Sequence, residues 1–212
     1  MRIWIQSIPI HEGVLLVSSD ASWANNQDLT SQAGYMVLFA HRSVTENKVA
    51  AISPLRWKSY KQERHTQSTL GAELMGISRA IAEANWMRSL FAEALHYNYE
   101  LCRDQEFREQ MMMVVTCDNK PIYDHTCGDG VVVKDKRMAI EMLIVRRDIR
   151  KNNIVLRWVA TKQMLVDCLT KTNAAADFML RCLKEGRYCV CLMTPDAIPV
   201  DDVLSSKRGD EK

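Results

Sequence analysis

Four carboxylates sit at positions where apolar segments of this chain give way to polar ones. Asp20 closes the run V-L-L-V-S-S-D, Asp118 closes M-M-M-V-V-T-C-D, Glu73 lies in the first turns of a long helix-forming stretch, and Asp167 opens a later one. In an open sheet with parallel neighbours, the carboxyl ends of strands and the starts of adjacent helices converge on one edge, where loops are free to hold ligands. Acids gathered there without basic partners raise one another's pKa, a cost that divalent cations relieve. Oxygen donors with no accompanying His/Cys set favour Mg2+ or Mn2+ over zinc. Two such ions, roughly 4 Å apart, can clamp the attacking water and the leaving oxygen of a phosphodiester, giving hydrolysis with no covalent enzyme intermediate. Each acid alone reads more readily as a solvated or capping side chain; the four together, in this order, reverse that balance.

The elements that must place these acids follow from periodicity. Val14 to Trp23 starts as an unbroken apolar run and turns small and polar, the pattern of a buried central strand whose end emerges at a site. Strand-like residues recur around Gly34 to Ala40 and again from Val49 to Trp57, where Pro54 argues for an edge position. Short connections make these three an antiparallel meander. From Ser68 the sequence becomes rich in helix formers, with Ser68 or Thr69 as cap and Leu70, Leu74, Ile77, Ile81, Met87, Leu90 and Leu95 as the expected core-facing stripe. A polar connection from Cys102 to Glu109 leads to the strand ending at Asp118 and Asn119. Pro121 suits the first turn of a short helix, and G-D-G at Gly128 to Gly130 is a flexible break. A helix is expected from about Lys136 to Arg150, with Met138, Met142, Val145 and Ile149 inward, then a strand I-V-L-R-W-V, a helix from Met164 to Lys171, and a last helix closed by Gly186. Strands and helices alternating after a meander imply an α/β mixed sheet flanked by helices.

Composition sets bounds. The chain has 212 residues, 47% of them hydrophobic, enough to bury one substantial core. A net charge of +2 identifies no ligand by itself, but Lys134 to Lys162 is locally cationic, with Lys136, Arg137, Arg146, Arg147, Arg150, Lys151 and Arg157 against Asp135, Glu141 and Asp148. Seven cysteines without a C-x-x-C pair are read as reduced thiols, and Cys189 and Cys191 as part of a half-buried strand without zinc. Gln6, Pro9, His11 and Glu12 interrupt the N-terminus, and no apolar run reaches membrane-spanning length, so a soluble cytoplasmic or nuclear protein without a membrane partner is expected.

These residues resemble the ribonuclease H domain at the end of copia-type LTR retrotransposon polyproteins, within the ribonuclease H-like superfamily. The resemblance rests on S-S-D-A-S-W at Ser18 to Trp23, A-G-Y at Ala33 to Tyr35, A-E-L at Ala72 to Leu74, C-D-N at Cys117 to Asn119, and V-D-C-L-T-K at Val166 to Lys171. It covers residues 13 to 185. The resemblance implies a five-stranded mixed sheet, three antiparallel strands followed by parallel additions, flanked by helices. It implies that Asp20, Glu73 and Asp118 are the core metal ligands and catalytic acids, with Asp167 completing a second site for two Mg2+ or Mn2+ ions. The substrate implied is an RNA–DNA hybrid, read through its backbone and 2′-hydroxyls and cut to leave 5′-phosphates, within retrotransposon reverse transcription. An upstream reverse transcriptase domain of a parent polyprotein is the implied partner. Ser68, Thr69, Asn119 and Lys171 are candidate backbone contacts, with helix caps the plain reading of the first two. Many superfamily members carry a histidine in a loop before the fourth acid, whereas none lies between His125 and Asp167 here. His65 and His125 read as surface residues, and Trp57 as a buried aromatic.

The expected organisation is an extension over residues 1–12, a ribonuclease H-like domain over 13–172, a packed helix and short strand over 173–195, and a disordered tail over 196–212. Integrase- or transposase-like nucleases share the fold and its clustered acids but use duplex DNA with a shorter acid set. A decayed nucleic-acid-binding remnant would lose acids at random, and a structural connection domain would bind no metal.

Overall fold

The computed structural model describes residues 3–128 and 135–191. Asp129 and Gly130 of the glycine-rich break, Lys134, and the tail expected from residue 196 lie outside them. Six strands form one sheet in the order β5-β4-β1-β2-β3-β6. They are β1 (Gly13–Ser22), β2 (Gln32–His41), β3 (Ala50–Lys61), β4 (Met113–Cys117), β5 (Ile154–Trp158) and β6 (Arg187–Tyr188). β1, β2 and β3 pair antiparallel in sequence; β4 joins β1 and β5 joins β4, both parallel. The helices are α1 (Thr69–Leu95), α2 (Asp104–Arg108), α3 (Lys120–Cys127), α4 (Lys136–Lys151), α5 (Asp167–Thr170) and α6 (Asp177–Glu185).

β1 is central and covered on both faces, which is why its apolar run does not alternate. Leu15 and Val17 pack with Leu74, Ile77 and Ile81 of α1 and Met142 and Val145 of α4. Val14 and Leu16 pack on the opposite side with Met164, Leu165 and Val166, and with Cys182 and Leu183 of α6. Pro54 sits where the β2–β3 register shifts between Val37 and Leu38, and β6 pairs only with Ala50 and Ala51. The missing N–H of Pro54 therefore interrupts no outer ladder among the described residues.

Four expectations need correction. The sheet has six strands rather than five, because the short strand expected after the last helix, reduced to Arg187 and Tyr188, is folded back onto β3 by the tight turn at Gly186. The helix expected from Met164 to Lys171 shrinks to α5: Met164, Leu165 and Val166 are all buried in succession as an apolar plug rather than one helical face. The Cys102–Glu109 connection contains α2, whose Phe107 is buried. In α1 the inward stripe beyond Ile81 continues through Ala84, Arg88 and Ala92, leaving Leu90 and Leu95 exposed. Arg88 donates to the carbonyl of Asn152, the C-cap of α4, at 2.7 Å, so a guanidinium replaces an apolar group where the negative end of a helix dipole is buried. Burial lowers its pKa to about 10. Accordingly, Ile81→Ala should destabilise the fold by about 2–5 kcal/mol and Leu95→Ala by less than about 0.5 kcal/mol, read from the urea midpoint at constant slope.

Candidate metal centre

The register of two parallel strands puts two of the acids side by side. Ser18 of β1 lies opposite Thr116 of β4, and their hydroxyls are 2.8 Å apart. Asp20 and Asp118 each lie two residues further along, on the same edge. Glu73 arrives from α1, which Ser68 caps by accepting from the Gly71 N–H at 3.1 Å. The helix can approach because Gly76, one turn beyond Glu73, has no side chain: a Cβ there would stand 3.3 Å from Ser19 Oγ and 3.6 Å from the Asp20 carbonyl. Asp20, Glu73 and Asp118 each offer a carboxylate oxygen, and these oxygens lie within 4.8 Å of one another.

Asp167 is not part of that trio. Its carboxylate forms an ion pair with Lys171, one turn further along, and the Lys171 ammonium also reaches Asp20 Oδ2 at 3.8 Å. Lys171 thus stands between the fourth acid and the other three. Thr170 donates its hydroxyl to Asp20 Oδ2.

Electrostatics mark the trio as a site with unbalanced negative charge. Burial, opposed by a hydrogen bond from Asn119 and reinforced by Asp118 and Asp20, pushes Glu73 up to about 7. Burial also raises Asp20, against the pull of Thr170 and Lys171, with Asp118 and Asp167 adding to the rise. Carboxyls that hold protons this far up the scale ionise readily only beside a cation, and three hard oxygen donors suit Mg2+ or Mn2+. Cys117, adjacent to Asp118, is pushed up to about 12 by burial and stays a neutral thiol. The donor set is therefore oxygen alone, and the residues fit the ion that the resemblance implies.

The four candidate contact residues separate by position. Ser68 caps α1 and Thr69 opens that helix. Asn119 caps α3 through its Oδ1 and also binds Glu73, so it braces the trio from one side. Lys171 braces it from the other. Near Ser68, an open groove of about 780 Å3 runs between the β3–α1 connection and the start of α4, with Arg64, His65, Lys136 and Arg137 among its lining. His65 and His125 are not members of the trio. Trp57, expected to be buried, is 56% exposed. It sits on the outer part of β3 beyond the reach of β6, where nothing covers it among the described strands. The Asp167–Lys171 pairing was missed, and the signal that could have found it is their four-residue spacing, which places both on one face of a helical turn.

A mixed sheet of this order, flanked by helices on both faces, with acids at the tips of adjacent parallel strands, is the ribonuclease H-like α/β fold. LC11-RNase H1, isolated from compost by a metagenomic approach, superposes with a TM-score of 0.51 at 16% identity, over 79% of this chain and 98% of that one. No protein-family model matches the chain. Relatives found by sequence include retrovirus-related Pol polyproteins from transposons of Arabidopsis thaliana. This chain is 28% identical to that of transposon RE1 and 26% identical to that of RE2, over 162 residues in each case, 76% of its length. It spans about a tenth of either polyprotein. No helix among the described residues is long and apolar enough to cross a membrane.

Proposed function

We propose that this chain is a ribonuclease H that hydrolyses the RNA strand of RNA–DNA hybrids during retrotransposon reverse transcription, in concert with a reverse transcriptase domain of a parent polyprotein. The observation that carries the reading is the carboxylate trio, with Asp20 and Glu73 buried and Asp118 partly so, gathered from the ends of adjacent parallel strands and a helix start. The retrotransposon relatives and the ribonuclease H-like fold support it.

Asp20, Glu73 and Asp118 would hold the first divalent ion, and Asp167, once free of the Lys171 ammonium, would complete the second site. Bound Mg2+ or Mn2+ supplies the charge that makes water a competent nucleophile and stabilises the departing 3′ oxygen. Asn119 fixes Glu73, and Thr170 fixes Asp20, so the oxygens need little rearrangement when loaded. Lys171, released from Asp167, is placed to meet a phosphate, while Ser68 and Thr69 line the approach of the backbone. The lysines and arginines of the α4 stretch supply sequence-independent attraction, so affinity should weaken with salt.

The test is incubation of the full chain with Mg2+ and a labelled RNA–DNA hybrid, single-stranded RNA or duplex DNA of matched sequence. The expected result is endonucleolytic cutting of the hybridised RNA alone, with 5′-phosphate ends on the downstream fragments. Cutting of duplex DNA in preference would move the assignment to the integrase- and transposase-like members of the fold.

A further inference from the structure

α5 is fastened across a single rung of the sheet. Gly34 of β2 pairs with Asp20 of β1 on one side and with Ser59 of β3 on the other, so the three residues share one row and one face. α5 lies over the gap that Gly34 leaves. A Cβ at Gly34 would stand 2.8 Å from Leu169 Cβ and 3.0 Å from Thr170 Cγ2, distances that require α5 to lift. At one end of the row Ser59 Oγ donates to the Leu169 carbonyl at 2.6 Å. At the other, Thr170 donates to Asp20 Oδ2 and also lies 3.0 Å from the Asp167 carbonyl. Asp20 and Thr170 are both buried, at 3% and 2% exposed.

We propose that Thr170 is a positioning residue for the metal centre: held down by Gly34 and Ser59, it engages Oδ2 of Asp20 and so turns the other carboxylate oxygen toward Glu73 and Asp118. A carboxylate free to rotate about its last torsion offers its oxygens to the trio only part of the time, whereas one oxygen held by a hydroxyl fixes the other. The same strap delivers Lys171 and Asp167 to the edge of the trio. Gly34 belongs to this device because any side chain there would break it, not because of its backbone angles.

This inference rests on the carboxylate trio binding a divalent ion, and the experiment separates the two. Mn2+ binding to the full, substrate-free chain is titrated by electron paramagnetic resonance, alongside steady-state cleavage of the hybrid. Thr170→Val keeps the shape and removes the hydroxyl; it should weaken Mn2+ binding by about tenfold or more and lower kcat with little change in KM for the hybrid. Thr170→Ser should restore both to near the parent values. Gly34→Ala should match Thr170→Val, and the double variant should be no worse than either, because both remove one contact. Ser59→Ala, which touches no carboxylate, should weaken Mn2+ by at least about threefold and serves in place of Thr170→Val if that variant melts early. Mn2+ affinity unchanged in a folded Thr170→Val or Ser59→Ala would overturn the positioning role and leave the metal centre standing. Failure of the parent chain to bind Mn2+ at all would overturn both.

Discussion

Asp118→Asn is expected to lower hybrid cleavage on the order of 1,000-fold or more, equivalent to about 4 kcal/mol of transition-state stabilisation, while leaving the fold intact. Asp118 follows β4 directly and forms no salt bridge among the described residues, so an amide of the same shape costs little structure. It costs a negative oxygen in a trio whose members have no other cation within the cluster except the flanking Lys171. KM for the hybrid should change far less than kcat, because the proposed backbone contacts fall on Ser68, Thr69, Lys171 and the α4 stretch rather than on Asp118. Parent and variant cleaving at equal rates in single-turnover assays would remove Asp118 from the reaction.

The second large effect is on stability and depends on metal and pH together. In the unfolded chain Glu73 ionises near its ordinary value of 4.5, whereas in the folded, metal-free chain it keeps its proton up to about 7. Between those values the folded state binds more protons than the unfolded one, so stability falls as pH rises and remains lower above 7. The difference from this group is about 3 kcal/mol at most between pH 4.5 and 8, and burial of Asp20 acts in the same direction. Divalent ions should remove the loss at pH 8, since they bind the folded state in its ionised form. Glu73→Gln should abolish most of the slope in chelator, making the variant more stable than the parent at pH 8 but unresponsive to Mg2+. Urea denaturation at pH 5 and pH 8, in chelator and in Mg2+, reads all of these. A parent chain equally stable at both pH values in chelator would contradict the buried, cation-dependent state of Glu73.

Much of this site was legible in the sequence, because Asp20 and Asp118 close apolar runs, Glu73 lies in the first turns of a helix-forming stretch, and the β1 and β4 runs have the two-sided burial of central strands. The meander, the capped α1 and the inward face of α4 were legible for the same reason: period and caps agree. What the sequence concealed has a physical pattern. Leu90 and Leu95 fit a helical stripe as well as Ala84, Arg88 and Ala92 do, and only the position of α4 shows that the arginine turns inward. Gly34 looked like a motif letter; its function depends on the register that aligns it with Asp20 and Ser59, a non-local fact. The short strand after the last helix was legible, but its pairing with β3 as a sixth strand depends on the turn at Gly186. Asp167 was grouped with the other acids by order along the chain, while the folded structure pairs it first with Lys171.

The central claim is that Asp20, Glu73 and Asp118 grip one ion between them. A Mn2+ titration of the full chain, followed by paramagnetic resonance and repeated on Asp20→Asn and Asp118→Asn, measures this without any substrate. A saturable site in the parent that either substitution weakens by at least about tenfold is the expected result. Equal Mn2+ binding in all three proteins, or none in the parent at neutral pH, would contradict it.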